Sequence, residues 1–460
     1  MAPHVGITGS EIPDRWTQAT GLSGLKRPAF AVLAALFLQS LYGAVDLLVV
    51  GQFATSADVS AVSTGSQLMS VITNTIAGLA MGTTVLIGQQ IGKGEKENAG
   101  RTMGVSIAFF LFLAVVLAAL IMLNVEHLAR IMQAPQEAFS ATCDYIRICG
   151  FGLIFIILYN LIGSLFRGIG NSHVPLMTVA IAAVINIFGD LLLVNVFHMG
   201  AAGAAWATIA SQAISVLISF LIIRKTEMPF TFHMKMVRLD WHRVKEIVSL
   251  GIPIALSDFL VGISFLVIIA IVNTLGVTAS AGVGVAEKVC GFIMLVPSAF
   301  SQAMAAFVAQ NYGANRMDRA RKAMRYGIFV SLGIGAVMAW FSFFHGEVLC
   351  RLFSADPKVV TAGADYLKAY AIDCLITPFF FNMSGFFNGC GHTKIVMIEN
   401  IIGGICVRLP LAYLFARIQP VSLFRIALAT PSASIVQTFI CLVYLIKVFG
   451  PAKKTEQLAN

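Results

Sequence analysis

"LFRGIGNSHVPL", residues 165–176, returns later in the chain as the related stretch "FFNGCGHTKIVM", residues 386–397. Both copies contain the pattern Phe-x-Gly-x-Gly, and Phe387 follows Phe166 after 221 residues. Each copy lies between long apolar runs. Because glycine permits backbone conformations that are closed to other residues, we expect each copy to form a tight turn where an apolar segment ends. The repetition indicates that one structural unit occurs twice.

A second pair of segments has the same separation. The stretch "GQQIGKGEKENAGRTM", residues 88–103, aligns with "AQNYGANRMDRARKAM", residues 309–324. The identical positions are Gln89 with Gln310, Gly92 with Gly313, Ala99 with Ala320 and Met103 with Met324. Because two separate matches share one offset, the chain is predicted to consist of two homologous halves.

The composition indicates a membrane protein. Of the 460 residues, 58% are hydrophobic and only 12% are charged, whereas a typical soluble domain has about 25% charged residues. The polar start of the chain lacks the pattern of a cleavable signal peptide, so the first apolar run, residues 28–50, is expected to direct insertion. The net charge of +9 is attributed to cytoplasmic loops rather than to nucleic-acid binding.

Twelve apolar runs are long enough to cross a bilayer, six on each side of a basic segment. The predicted spans are 29–52, 60–87, 102–124, 138–163, 173–196, 202–223, 248–275, 279–309, 324–346, 359–386, 393–416 and 422–447, and the run 279–309 could contain a break. Because six is even, both halves enter the membrane from the same side, so they are related by an axis along the membrane normal. The predicted fold is an all-α integral membrane protein with twelve transmembrane helices in two pseudo-symmetric six-helix lobes around a central cavity.

Basic residues predict the orientation of the chain. With the N-terminus inside, the inner segments hold 22 of the 31 basic residues, and the outer segments hold Arg130, Arg351, Lys358, Arg417 and Arg425. Since such an excess marks the cytoplasmic side, we expect a multi-pass protein of the cell membrane with both termini in the cytoplasm. The predicted parts are a tail (1–27), a first lobe (28–224), a linker (225–247), a second lobe (248–448) and a tail (449–460). The linker is expected at the cytoplasmic membrane surface.

The sequence lacks the motifs of an enzyme or a metal protein. "GQQIGKG" lacks the glycine spacing and the Ser or Thr of a nucleotide-binding P-loop, and neither HExxH nor GxSxG occurs. The eight cysteines form no CxxC and no Cys/His cluster, so they are interpreted as free thiols in apolar surroundings. No enzymatic activity and no resident cofactor is expected.

Acidic residues inside the predicted spans are the main functional candidates, because a carboxylate at mid-bilayer costs roughly 2.5–3.5 kcal/mol. Asp46 lies on one face of the first span with Gln39, Tyr42 and Gly43. The fifth span carries Asn186 and Asp190 one turn apart, and the sixth carries Thr208. The repeat-equivalent positions are Val267, Val407, Leu411 and Ala429. The scaffold therefore does not itself require polar groups at these places.

The second half contains its own charges, for which structural and functional roles stay open. They are Asp258, Glu287, Lys288, Lys368, Asp373, Glu399 and Arg408. Glu287 with Lys288 and Asp373 with Arg408 could form structural ion pairs. Candidates for a substrate cavity are Gln39, Tyr42, Asn160, Asp258 and Asp373.

The chain resembles the multidrug and toxic compound extrusion (MATE) transporters along nearly its whole length. The similarity is carried by the order of "VDLLVVGQF", "GQQIGKGE", "FRGIGNSHVP", "INIFGDLLLV", "GAAGAAWATIASQ", "AQNYGANR", "FFNGCGHTK" and "VRLPLAYL". The resemblance implies an antiporter that exports organic, often cationic and amphipathic compounds, driven by influx of Na⁺ or H⁺.

In prokaryotic members of this family, a cation site uses an Asp in helix one, an Asn and an acid or amide in helix five, and a Thr in helix six. Asp46, Asn186, Asp190 and Thr208 match that pattern, which implies a Na⁺ or H⁺ site there and favours the DinF-like or MepA-like branch. Acids in helices seven and ten mark another branch, but Asp258 and Asp373 lie about a turn from the expected places. The first span has no proline at its middle.

The expected partners are small organic substrates and membrane lipids, and a monomer is expected to function. One alternative is a flippase for lipid-linked precursors or polysaccharides, which would favour a larger, basic cavity and further C-terminal helices. Alternatives from other classes are a membrane-embedded enzyme and a passive channel. The sequence does not distinguish Na⁺ from H⁺, because a site of hard oxygen ligands suits Na⁺ and the same carboxylates can carry H⁺.

Overall fold

A computed structural model of the chain describes residues 22–225, 228–230 and 232–450. The α-helices of this part are α1 Leu22–Phe53, α2 Ser56–Gly92, α3 Lys96–Leu123, α4 Val125–Ile131, α5 Phe139–Phe151, α6 Leu153–Ile169, α7 His173–Asp190, α8 Gly200–Lys225, α9 Trp241–Asn273, α10 Val277–Ile293, α11 Leu295–Gly313, α12 Met317–Arg351, α13 Pro357–Gly389, α14 Thr393–Ile401, α15 Leu409–Arg417, α16 Leu423–Ala427 and α17 Ala429–Phe449. The predicted tails lie outside the described residues, except for residues 22–27 and 449–450.

The predicted spans correspond to these helices. Within the described residues, ten helical runs are long and apolar enough to cross a membrane, and the pair α5 and α6, bent by 53°, makes an eleventh. The twelfth predicted span is α13, which has 33 residues but too polar a composition for that count. The number twelve therefore stays a prediction. The suspected break in the run 279–309 is present at Met294, between α10 and α11.

Two predicted boundaries differ from the structure. The linker was expected to end at residue 247, but α9 already begins at Trp241, where the Asp240 side chain accepts a hydrogen bond from the His242 amide. A side chain that caps the first free amide groups stabilises a helix start. The α8 helix continues to Lys225, one residue into the predicted linker.

The repeated Phe-x-Gly-x-Gly motif forms a tight turn in both lobes, as predicted. Gly170 follows α6 with a φ of 90°, and Gly391 follows α13 with a φ of 85°. Side chains other than glycine rarely adopt this left-handed conformation, so glycine is required at both turns. All eight cysteines are free, and Cys406 is the exposed one.

The fifth span of each lobe changes to a π-helix. After α7 the turns from Leu191 to Val196 are π-helical, and the segment from Ile402 to Arg408 joins α14 to α15 in the same form. A π-helical turn is wider than an α-helical one and is frequent at functional sites. Asp190 stands immediately before the first π-segment and Arg408 ends the second.

The two lobes contact each other mainly at the end that carries the basic loops. Met81 and Val85 of α2 pack there against Ile254 of α9 and Ala305 and Ala309 of α11. On α2, the residues from Ala80 to Val85 beside this contact are all buried, whereas Val71, further toward the opposite end, is 38% exposed. The structure is therefore closed between the lobes at the basic end.

Candidate functional site

Asp46, Asn186, Asp190 and Thr208 come together in the first lobe, where α1, α7 and α8 meet. The Asn186 amide donates to Thr208 Oγ1 at 3.4 Å, and the Thr208 hydroxyl donates to Asp46 Oδ2 at 3.4 Å. The carboxyl group of Asp190 lies close to that of Asp46, without a hydrogen bond between them. Residues 162 positions apart in the chain thus form one polar cluster.

The cluster is buried and poorly satisfied. Asn186 and Asp190 are fully buried, and Asp46 is 7% exposed. Within the described chain, both oxygens of Asp190 and the Oδ1 atoms of Asp46 and Asn186 have no hydrogen-bond partner. Neither acid forms an ion pair with any described basic residue. Since an uncompensated buried charge is costly, the pair requires a cation or a proton to be stable.

The chemistry of the donors limits what the cluster could hold. It offers two carboxylates, an amide oxygen and a hydroxyl, all hard oxygen ligands that suit small hard cations. In the part of the chain that the structure describes, no group of three or more His, Cys, Asp or Glu side chains could hold a metal ion. Because the donors are oxygens, with no thiolate or imidazole among them, the residues fit a small hard cation or a shared proton better than a soft transition metal.

The helices that carry the cluster are fixed by local structure. A capping box of Thr55 and Asp58 begins α2, and the Asp58 carboxylate also accepts a hydrogen bond from the Ala201 amide at 3.0 Å. Gly200, with a φ of 55°, allows this approach at the start of α8. The first turn of α8 is thereby attached to α2, which sets the position of Thr208 two turns further on.

The predicted cavity residues do not share one cavity. Gln39 and Asn160 line a cleft of about 60 Å³ between α1, α6 and α7. Tyr42 is buried beside Gln39 and Gln212 and does not line this cleft. The helical face predicted from the spacing of Gln39, Tyr42 and Asp46 is therefore divided between the cleft and the packed interior.

Two further side chains of the cleft were not predicted to belong to it. Arg167, one of the basic residues counted in the inner segments between the predicted spans, lies in the last turn of α6, lines the cleft and donates to Ser164 Oγ at 2.8 Å. Gln302 of α11 closes the same cleft from the second lobe. A helical position for Arg167 could have been suspected, because the Phe-x-Gly-x-Gly motif follows an apolar run without a polar interval.

Asp258 and Asp373 lie in different surroundings. Asp258 of α9 is exposed, and a side-chain carbon at Gly78 of α2 would lie 3.2 Å from its Oδ2 atom, so it borders the interface between the lobes. Asp373 of α13 is 2% exposed and packs within the second lobe, where its Oδ1 has no partner among the described residues. Neither residue lines the cleft.

The comparison with protein families decides what kind of chain this is. The MatE family model matches residues 31–192 and again residues 253–414. The chain belongs to the MatE family. The two matches begin almost as far apart as the two repeated motifs, so each half of this MatE protein is one copy of the family unit. The predicted family is confirmed.

Individual MatE proteins agree with this assignment. The chain is 27% identical over 405 residues to "Probable multidrug resistance protein YpnP" of Bacillus subtilis (strain 168), covering 87% of this chain and 90% of that protein. It is 27% identical over 336 residues to "Probable multidrug resistance protein YoeA" of the same strain, covering 72% and 73%. A solved outward-facing multidrug resistance MATE family transporter superimposes with a TM-score of 0.90 at 20% identity, covering 97% and 100%. The last likeness confirms the two-lobe helical fold.

The second lobe of this MatE protein does not form the two ion pairs that were predicted as possible. No nitrogen of Arg408 lies within 4.0 Å of an Asp373 oxygen; instead Arg408 Nη1 donates to Ser264 Oγ at 2.9 Å, and its guanidinium lies 4.5 Å from the centre of the Phe265 ring. Arg408 therefore bonds to α9 rather than to α13.

Glu287 likewise does not pair with Lys288. Its carboxylate accepts hydrogen bonds from the hydroxyl groups of Tyr366, at 2.9 Å, and Tyr370, at 3.4 Å. Side chains at neighbouring positions of a helix point in different directions, so Lys288 cannot share these partners.

Proposed function

We propose that the chain is a secondary active antiporter that exports small organic compounds, often cationic and amphipathic, in exchange for Na⁺ or H⁺ by alternating access. The observation that carries the proposal is the pair of buried carboxylates of Asp46 and Asp190, which face each other without a basic partner among the described residues. Relatives with "multidrug resistance" in their names support the class of substrate. The proposal includes a monomer in the cell membrane with cytoplasmic termini.

The coupling follows from the cost of buried charge. Two carboxylates close together in a medium of low dielectric constant repel each other, so both stay ionised only if a cation lies between them. A bound Na⁺ or proton lets α1 and α7 stay together, whereas the emptied pair favours separation and entry of water. A ligand shifts the equilibrium between two states only through its differential affinity for them. The cation and the substrate are therefore expected to weaken each other's binding by the same factor.

The cleft lined by Gln39 is the candidate place at which substrate would enter. Gln39 lies seven residues before Asp46 on α1, so a change in the position of α1 alters both the cation cluster and the cleft wall. The cleft is small at about 60 Å³, whereas sites for drug-sized molecules have about 300–1,000 Å³. Substrate entry would thus require movement of α1 or separation of the lobes. The one described basic side chain on its wall, Arg167, gives little support to the flippase alternative, which favours a broad basic cavity.

The test is transport by the purified protein in vesicles. Ethidium movement is measured under an imposed Na⁺ gradient or an imposed pH gradient, and ethidium affinity is titrated at several Na⁺ concentrations and pH values. We expect the wild type to respond to at least one ion and Asp190→Asn to lose that response while still binding ethidium. Asp365→Asn, which removes an exposed partner of Lys368, is the matched control and should retain it. Unchanged ion dependence in Asp190→Asn would reject this site and favour Asp258 and Asp373.

A further inference from the structure

The two repeated motifs of the sequence contact each other across the lobes in a reciprocal way. Gln89, at the end of α2, donates its side-chain amide to the Gly389 carbonyl of the second lobe at 2.9 Å. Gln310, at the end of α11, donates to the Gly168 carbonyl of the first lobe at 2.8 Å. Gln310 is the repeat equivalent of Gln89, and Gly389 is that of Gly168. Each lobe thus supplies one donor and one acceptor to the other.

Glycine residues allow the two helix ends to cross at this point. A side-chain carbon at Gly92 would lie 2.0 Å from the Gln310 carbonyl oxygen, and one at Gly313 would lie 2.1 Å from the Gln89 carbonyl oxygen. Real Cβ atoms essentially never approach other atoms so closely. Gly92 and Gly313 are again equivalent positions of the repeat. The crossing therefore has pseudo-two-fold symmetry in both its hydrogen bonds and its close backbone contacts.

The crossing lies at the end of the molecule where the lobes are closed. The apolar contact of Met81 and Val85 with Ile254 and Ala309 lies just inside it. Each of the two hydrogen bonds is made by a neutral amide, whose net contribution corresponds to about a fivefold change in an equilibrium constant. Contacts of this strength can form and break repeatedly, as a reversible closure requires.

We propose that Gln89, Gly92, Gln310 and Gly313 form an interlobe latch and that the two glutamines are positioning residues of the transport cycle. The latch holds the basic end closed and must open before that end can admit substrate. This inference rests on the proposed alternating-access function, because a latch has a role only if the lobes separate. The symmetry explains why the motifs occur in both halves. Each half supplies a glutamine whose side-chain amide bonds to the glycine turn of the other half, and each half supplies a turn that accepts such a bond.

The test measures the separation of the lobes directly. Spin labels are placed on cysteines introduced at the exposed Lys96 of the first lobe and Lys394 of the second, with exposed Cys406 replaced by Ser. Distance distributions are recorded by electron spin resonance in lipid nanodiscs. We expect Gln89→Leu combined with Gln310→Leu to raise the ratio of long to short distances by about tenfold or more, since two hydrogen bonds are lost.

A neighbouring glutamine provides the matched control. Gln90 accepts a hydrogen bond from Thr102 at 2.8 Å inside the first lobe, so Gln90→Leu removes a similar bond that does not cross between the lobes. Its distance distribution should equal that of the wild type. An unchanged distribution in the double variant, or an equal shift in Gln90→Leu, would overturn the latch.

Gly92→Ala gives a stronger perturbation, because the added carbon separates the helix ends. We expect it to favour the long distance more than the double glutamine variant does, whereas Gly333→Ala on α12, with open space around its Cβ, should have no effect. If Gly92→Ala does not fold, the double glutamine variant decides. The readout needs neither substrate nor an ion gradient, so failure of the latch is distinguishable from failure of the proposed coupling.

Discussion

In the first lobe, Asp46 and Asp190 face each other with no basic partner among the described residues, whereas in the second lobe three acids lie near an arginine. Glu287, Asp373 and Glu399 all lie within electrostatic range of Arg408. Arg408 is 4% exposed and is held by Ser264. The second lobe thus contains a cation that is part of the chain, whereas in the proposed function the first lobe takes up a cation or a proton from outside.

The difference shows two ways in which the same six-helix unit can neutralise buried acids. By the repeat offset, Arg408 corresponds to Ile187 and Asp190 to Leu411, so neither charge is required by the fold. A buried acid must be neutralised, and either a tethered arginine or a mobile ion can do this. Only the mobile ion can respond to a gradient across the membrane. The comparison therefore supports the first lobe as the coupling lobe and a structural role for the charges of the second.

The largest effect on transport is expected from Asp46→Asn. The change keeps the shape of the side chain and removes its charge, so one carboxylate remains and the repulsion that links ion release to movement is lost. Gradient-driven ethidium transport should fall to the level of vesicles without protein, while insertion and expression stay normal. Normal export by a well-expressed variant would contradict the contrast between the lobes.

A large effect on stability is expected from Arg408→Gln. The change removes the cation that lies within electrostatic range of Glu287, Asp373 and Glu399, together with its hydrogen bond to Ser264, and a hydrogen bond made by a charged group contributes about 1.5–3 kcal/mol. The thermal unfolding midpoint in detergent should fall clearly. A second change, Glu399→Gln, should restore part of the loss, because it removes one of the uncompensated acids.

The matched control for that experiment is Arg130→Gln. Its side chain is 72% exposed and pairs at 3.7 Å with Glu126, and such surface pairs contribute about 0–1 kcal/mol. If Arg408→Gln is as stable as Arg130→Gln, Arg408 does not balance the acids of the second lobe.

A smaller effect is expected from Thr208→Ala. The hydroxyl joins Asn186 to Asp46, and a hydrogen bond to a charged group contributes about 1.5–3 kcal/mol, which is roughly tenfold or more in ion affinity. Thr208→Ser keeps the hydroxyl and should retain most of the affinity. The concentration of Na⁺ or H⁺ that gives half-maximal transport measures the change. Equal values for Ala and Ser would show that the hydroxyl does not belong to the site.

The smallest effect on transport is expected from Arg238→Cys, a substitution that tests the topology at an exposed position of the linker. Arg238→Cys should leave transport unchanged and should react with an impermeant thiol reagent from the cytoplasmic side only. Glu126→Cys, at the opposite end of the first lobe, should react only from outside. A reversed pattern would place the latch on the outer face and invert the direction of the proposed cycle.

The sequence by itself determined the repeat, the family, the helical membrane fold and the residues of the first-lobe cluster. These features are local: apolar length predicts a span, a glycine pattern predicts a turn, and helical spacing places Asn186 and Asp190 on one face. The spacing of residues within a helix does not say which helices meet. The prediction that spans one, five and six form one cluster, as they do in the structure, therefore depended on the resemblance to MATE transporters.

Only the tertiary structure decided which residues meet across the chain. Gln89 bonds a carbonyl 300 residues away and Gln310 one 142 residues away, so no local pattern could reveal the latch. In the same way, Arg408 bonds to Ser264 rather than to Asp373, and Arg167 lines the cleft from the last turn of α6. A helical period fixes the face on which a side chain lies, but the packing of whole helices fixes what that face touches.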